Sequence, residues 1–161
     1  MRAVIVGCGR VGAGLAERLA RAGHNVTIVD IVTDAFNRLE PDFPGQAIRA
    51  DGTDEDVLRR VGTETADYFF ALTEGDNRNA FAAQLAAETF GVKNVVAKIN
   101  DPVRAEAYAH LGIASLCRTN LMTSTVLGFL GQAVSERPGI YYPEPHVHGT
   151  SVAADTSAPE A

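Results

Sequence analysis

Gly7-Cys8-Gly9-Arg10-Val11-Gly12 stands between an apolar run, Ala3-Val4-Ile5-Val6, and a segment of helical spacing that begins at Val11. A G-x-G-x-x-G pattern is weak alone; after a strand and opening a helix it reads as a phosphate-binding loop. Gly7 permits the tight turn, Gly9 lets the backbone approach a pyrophosphate, and Gly12 lets helix and strand pack closely. The helix then offers free N–H groups and the positive end of its dipole to an anion. Asp30 ends the second apolar run about 20 residues beyond the loop, where a carboxylate accepts hydrogen bonds from ribose hydroxyls. A 2′-phosphate is repelled there, and Ile31-Val32-Thr33 supplies no arginine to neutralise it. The residues thus favour NAD(H), or an adenine nucleotide such as ATP or ADP, over NADP. Asp30 reads a hydroxyl common to NAD(H) and ATP/ADP, so both stay open.

Working outward, short β-branched runs alternate with segments of helical spacing, the pattern of repeated βα units on a parallel sheet. Strands are expected near Arg2–Val6, Asn25–Val29, Gln46–Ala50, Tyr68–Leu72, Asn94–Ile99 and Ser115–Cys117. All are short and apolar, as strands covered by helices on both faces should be. Val11–Ala22 carries Gly12, Leu15, Ala16 and Leu19 on one helical stripe, and Gly23 supplies a left-handed stop. Thr53 is the expected cap of a helix over 54–61, Asn77–Thr89 forms the next, and Pro102 opens another at its first turn. Right-handed crossovers then predict a doubly wound α/β fold, a six-stranded parallel Rossmann-like sheet in the order 3-2-1-4-5-6.

Asn120–Val134 departs from the pattern. Leu121, Met122, Val126, Leu127, Phe129, Leu130 and Val134 spread over more than one helix face, and such a helix needs two partners. Either it is tucked deeply into its own domain, or it is a crossover helix shared with a second subunit in a homodimer. Beyond it, Ser135–Ala161 holds prolines 138, 143, 145 and 159 among serines and alanines, too little apolar mass to offset chain entropy. The expected organisation is one domain over 1–134 and a flexible tail over 135–161.

Bulk properties narrow the function. With 161 residues, 46% hydrophobic and 21% charged, the chain has the means to bury one core. A formal net charge of −6 argues against nucleic acid, which needs a basic stripe. Cys8 and Cys117 form no metal or disulfide framework and suit a reducing compartment. No secretory signal or bilayer-length apolar run is read, so the chain is expected in the cytoplasm, acting at a membrane only through a partner.

With Asp51-Gly52-Thr53 and Ala71-Leu72-Thr73-Glu74-Gly75-Asp76-Asn77-Arg78-Asn79 added to the glycine loop, residues 2 to about 134 resemble the N-terminal nucleotide-binding (TrkA-N, KTN) domain of the Trk/Ktr potassium-uptake regulators, the RCK family. That resemblance implies ligand-dependent regulation rather than chemistry, with a membrane potassium-uptake subunit as partner. It implies that Asp51, with Gly52, lies beside the adenine and that Thr73 faces the ligand. Asp76 and Asn79 match the T-x-x-D-x-x-N pattern that follows. Arg10 is implied on nucleotide phosphate, and Lys98 stands where arginine is commoner; lysine keeps the charge and loses the planar fork. Members of the family usually continue into a smaller C-terminal ligand domain, for which the tail here is too short.

The competing reading is an NAD-dependent oxidoreductase. It lacks a substrate domain, and Tyr108 is followed by Gly112 rather than lysine at the Tyr-x-x-x-Lys spacing. His146 and His148 are two ligands at most, fewer than a zinc site needs. Cys8, at a helix N-terminus, is either a reactive thiol or a small buried filler.

Overall fold

The computed structural model describes residues 1–132 and 139–143. Six parallel strands form the expected order, β3-β2-β1-β4-β5-β6, and a seventh, β7, is added at the β6 edge. They are β1 (Arg2–Val6), β2 (Asn25–Asp30), β3 (Gln46–Arg49), β4 (Tyr68–Ala71), β5 (Asn94–Lys98), β6 (Ala114–Leu116) and β7 (Ile140–Tyr141). The helices are α1 (Arg10–Arg21), α2 (Glu55–Arg60), α3 (Asp76–Gln84), α4 (Pro102–His110) and α5 (Arg118–Phe129). Registers are in step across the centre: Val4 faces Thr27 on one side and Phe69 on the other.

Two apolar clusters sandwich the sheet. Ile5, Val26 and Ile28 pack with Ala13, Ala16 and Ala20 of α1 on one face. Val4, Val6, Phe69, Val95 and Ala97 pack with Leu58, Ala80, Ala83 and Ala105 on the other. The small alanines on α1 and α3 bring these helices close to the strands, and the strands are buried on both faces as their unbroken apolar runs require.

Several local expectations change. Asp54, not Thr53, caps α2: its carboxylate accepts from the Asp56 and Val57 N–H groups at 2.8 and 3.1 Å. Thr53 is unavailable because its own N–H and hydroxyl donate to Asp51 Oδ1 at 2.9 and 2.7 Å. The helix expected over 77–89 is α3 followed by one wide turn, Leu85–Thr89, in which the Phe90 N–H reaches back to the Leu85 carbonyl. That turn buries Phe90, over whose ring the Arg59 guanidinium sits at 5.4 Å.

The sheet does not end at six strands. Ile140–Tyr141, inside the stretch expected to be a flexible tail, runs antiparallel to β6, with Ser115 opposite Tyr141. The Cys117 N–H donates to the Gly139 carbonyl at 2.7 Å, and Asn120 Nδ2 donates to the Tyr141 hydroxyl at 2.7 Å. An edge strand satisfies itself by pairing, and two residues suffice to cover so short an edge. Residues 133–138 and 144–161, with Val134, His146 and His148, lie outside the described residues.

None of the twelve residues of α5 is buried. Met122 is 61% and Phe129 90% exposed, and Leu130 just beyond is exposed as well. Of the two readings of this helix, packing within its own domain is not realised among the described residues. No helix among the described residues is long and apolar enough to cross a membrane.

Candidate functional site

At the carboxyl ends of β1 to β4, where the strand order reverses, lies a cleft of about 460 Å³. Open parallel sheets bind ligands at this switch point because the strands diverge there and the following helices point their N-termini into the gap.

The glycine loop forms the floor. Gly7 has φ +106°, and a Cβ on it would meet the Leu72 and Thr73 backbone at 2.8 Å, so the turn and its contact with β4 both demand glycine. Its N–H donates to the Val29 carbonyl at 2.7 Å, which fastens the loop to β2. A Cβ on Gly12 would lie 1.9 Å from the Gly7 carbonyl oxygen. Gly9 differs: a Cβ there meets nothing within 4 Å. Gly9 is also the N-cap of α1, with no side-chain cap and no acid in the first turn. By contrast, the N-termini of α2 and α4 are closed by Asp54 and Asp101. Helix N–H groups without internal partners therefore open into the cleft at α1.

Asp30 binds the loop as well as lining the cleft. Its Oδ2 accepts from the Cys8 N–H at 2.6 Å and its Oδ1 from the Val32 N–H at 2.8 Å. A carboxylate has about four lone-pair sites, so two acceptor positions remain for a ribose. Asp51, held below the usual carboxylate range by the Thr53 hydroxyl and N–H, lines the far wall with Gly52. Gly52 is needed because a Cβ would lie 2.2 Å from the Val6 side chain. Cys8 faces the other way. Burial and the Asp30 charge push its thiol up to about 11, against a smaller opposing pull from Arg38, so it is a neutral filler and not a reactive thiolate.

Gly7, Cys8, Gly9, Arg10, Asp30, Ile31, Asp51, Gly52 and Thr73 thus all border one cavity. Five other expected positions do not. Val11 points to solvent from the back of the loop, and Gly12 lies beneath it. Asp76 instead brackets the β5–α4 turn, accepting from the Asn100 N–H at 3.0 Å and the Asp101 N–H at 3.2 Å. Asn79, fully buried, accepts from the Thr73 N–H and hydroxyl at 2.8 and 2.7 Å and donates to the Thr73 and Lys98 carbonyls at 3.0 and 2.8 Å. It sets the wall residue Thr73 and the end of β5 in place. Lys98 is nearly buried and does not line the cleft; its ammonium lies 3.2 Å behind the Glu74 carboxylate, which does.

Four charged residues that the sequence reading had not assigned complete the lining: Asp34, Arg38, Glu74 and Arg78. Glu74 and Arg78 lay within the quoted Thr73–Asn79 stretch, where the spacing of the pattern drew attention to Thr73, Asp76 and Asn79 only. Arg38 arrives by a short 3₁₀ turn, Thr33–Arg38, which carries it back over the mouth beside Asp30. The absence of arginine at 31–33 therefore does not leave the ribose end without a cation.

The sequence profile of the TrkA-N domain matches residues 3–119. The chain belongs to the TrkA-N domain family. A Trk system potassium uptake protein TrkA from Streptomyces coelicolor is 47% identical over 116 residues, covering 72% of this TrkA-N chain and 52% of that protein. The chain thus spans about half the length of that relative. Among solved structures, the TrkA-N domain of inner membrane protein ybaL from Escherichia coli superposes with a TM-score of 0.71 at 16% identity, covering 80% of this chain and 96% of that one. The Shewanella denitrificans Kef CTD in AMP bound form superposes at 0.68 with 20% identity, covering 83% and 84%. At such identities the two structures attest the Rossmann-like fold.

Proposed function

We propose that this TrkA-N domain is the ligand-sensing part of a cytoplasmic regulator of potassium uptake, holding NAD(H), or alternatively ATP/ADP, in the switch-point cleft. One observation carries the reading: the uncapped N-terminus of α1 and the Asp30 carboxylate open into the same cavity, with the featureless side of Gly9 between them. Helix N–H groups receive phosphate, Asp30 receives ribose hydroxyls, and a ligand lying against Gly9 gives that position a reason to lack a side chain. Membership of the TrkA-N family and the potassium-uptake name of the Streptomyces relative support the regulatory role and a membrane potassium-uptake subunit as partner. Calorimetric titration with NAD, NADH, ATP and ADP tests it. Asp30→Ala should weaken NADH binding by about 1–3 kcal/mol, the scale of hydrogen bonds to a charged group. Asp30-independent, tight binding of NADPH overturns the assignment.

Regulation rather than oxidoreductase chemistry is favoured by the lining itself. Its polar side chains are arginines, carboxylates and Thr73, with no histidine, tyrosine or lysine to pass a proton among the described residues. NADH should therefore bind without being consumed. A ligand shifts a regulator only by its different affinity for two arrangements, and the second arrangement is supplied here by a homodimer through the exposed apolar face of α5. Replacing Phe129 and Leu130 together by Asp should give monomers or aggregates in light scattering, because charge in an apolar interface is costly. A well-behaved monomer of the unaltered chain at high concentration refutes the dimer.

A further inference from the structure

Glu74 is at once part of the cleft wall and part of the attachment of α5. Its Oε1 lies 3.2 Å from the Lys98 ammonium, and its Oε2 lies 3.9 Å from Nη1 of Arg118, the first residue of α5. The two ends of this chain of charges have opposite environments: the Lys98 side chain is 8% exposed and the Glu74 side chain 80%. Among the described residues Glu74 is the one carboxylate within ion-pair distance of Lys98. α5 has no buried residue, and among the described residues its polar attachments include the Thr119 hydroxyl donating to the Asn100 carbonyl, Asn120 binding Tyr141, and Arg118 facing Glu74.

We propose that Glu74 is an internal competitor of the ligand's phosphate, and that its displacement is how cleft occupancy reaches α5. This rests on the nucleotide reading above. A phosphate seated on the free N–H groups of α1 and the Glu74 carboxylate are like charges on the same cleft, and their repulsion favours the exposed side chain swinging out. A nearly buried ammonium left without a counter-ion is costly, so Lys98, which stands 3.2 Å behind the vacated carboxylate, takes the incoming phosphate as its new partner. Arg118 loses its partner in the same event, and the start of α5 loosens from the sheet. A neutral ligand of the same shape leaves Glu74 where it is.

The test titrates the full chain, Glu74→Gln and Arg118→Gln with ADP and with NADH, and follows hydrogen exchange in α5 from Leu121 onward, the first of its amides to be bonded. Glu74→Gln should bind either nucleotide about fivefold tighter, the effect of removing one like charge across a part-solvated cleft. That gain should shrink with added salt, which screens charges beyond about 10 Å at 0.1 M. In the unaltered chain nucleotide should speed exchange in α5 by about twofold, the scale of one exposed ion pair. Glu74→Gln should show that faster exchange without ligand and no further response to it. Arg118→Gln should also exchange faster and, because coupling is reciprocal, bind nucleotide about twofold tighter, the scale of one exposed ion pair. Equal or weaker binding by Glu74→Gln, or an α5 response unchanged by it, overturns the competition and leaves the nucleotide site standing. Failure of the unaltered chain and Glu74→Gln alike to bind either nucleotide overturns both.

Discussion

Gly12→Ala should destabilise the domain by about 3 kcal/mol or more and abolish nucleotide binding, while Gly14→Ala, two residues along the same helix, should stabilise it by about 0.5–1 kcal/mol. The contrast follows from what each Cβ meets. At Gly12 it falls 1.9 Å from the Gly7 carbonyl oxygen and 3.6 Å from the Ile5 side chain. Backbone cannot rotate away as a side chain can, so α1 must lift from β1 or the loop must open. Either movement takes the helix N-terminus out of the cleft. At Gly14 the Cβ meets nothing within 4 Å, and alanine simply removes the entropy cost of glycine in a helix. Urea unfolding of the two variants, with NADH titration of whatever remains folded, checks both. Equal stabilities would mean that α1 does not need to lie so close to β1. A total stability of about 5–15 kcal/mol is usual for a domain of this kind, so the Gly12 effect removes a large share of it.

A second large loss is expected at Asn79, although it touches no part of the cavity. Its amide satisfies the Thr73 N–H, hydroxyl and carbonyl and the Lys98 carbonyl from a fully buried position. Asn79→Leu keeps the branched outline at a larger volume and removes every partner, leaving buried backbone groups unmet at about 1–3 kcal/mol each. The expected cost is about 2–4 kcal/mol, with weaker nucleotide binding because Thr73 loses its fixed orientation. Asn79→Asp separates the two halves of the role. It retains the acceptor toward Thr73 and loses the donor toward Thr73 and Lys98, placing a negative charge against two carbonyl oxygens. Thermal melts of both variants check this; a loss below about 1 kcal/mol in each would show that the amide is a bystander.

These two sites mark where the sequence could be read and where it could not. Strand existence, strand order and the floor of the cleft were legible because each rests on local rules. A short β-branched run followed by helical spacing makes a βα unit, and a G-x-G-x-x-G at that junction can be satisfied by few backbone paths. Asp30 was legible for the same reason, since its place at the end of β2 follows from the strand length. The Thr73–Asn79 stretch was legible as a pattern but not as a division of labour. Which polar residues face the cleft and which turn inward depends on how α3 rotates about its axis, and that is decided by packing of Ala80, Ala83 and Phe90 in the core.

What only the tertiary structure decided is where long side chains and short segments end up. Lys98 leaves a buried strand, and its four-carbon stem reaches a carboxylate supplied 24 residues earlier in the chain; no spacing rule selects Glu74 over a ligand. Arg38 enters the cleft through a 3₁₀ turn that carries no apolar period. Residues 140–141 pair as a strand because β6 offers an open edge and Gly139, at φ +69°, turns the chain onto it, although their own composition resembles a loop. The sequence by itself determined the βα alternation, the glycine loop and the carboxylate at the end of β2, because backbone geometry and apolar burial act over a few residues. The fold decided the charge pairs and the added strand, because those energies depend on which groups from distant segments arrive within a few ångströms of one another.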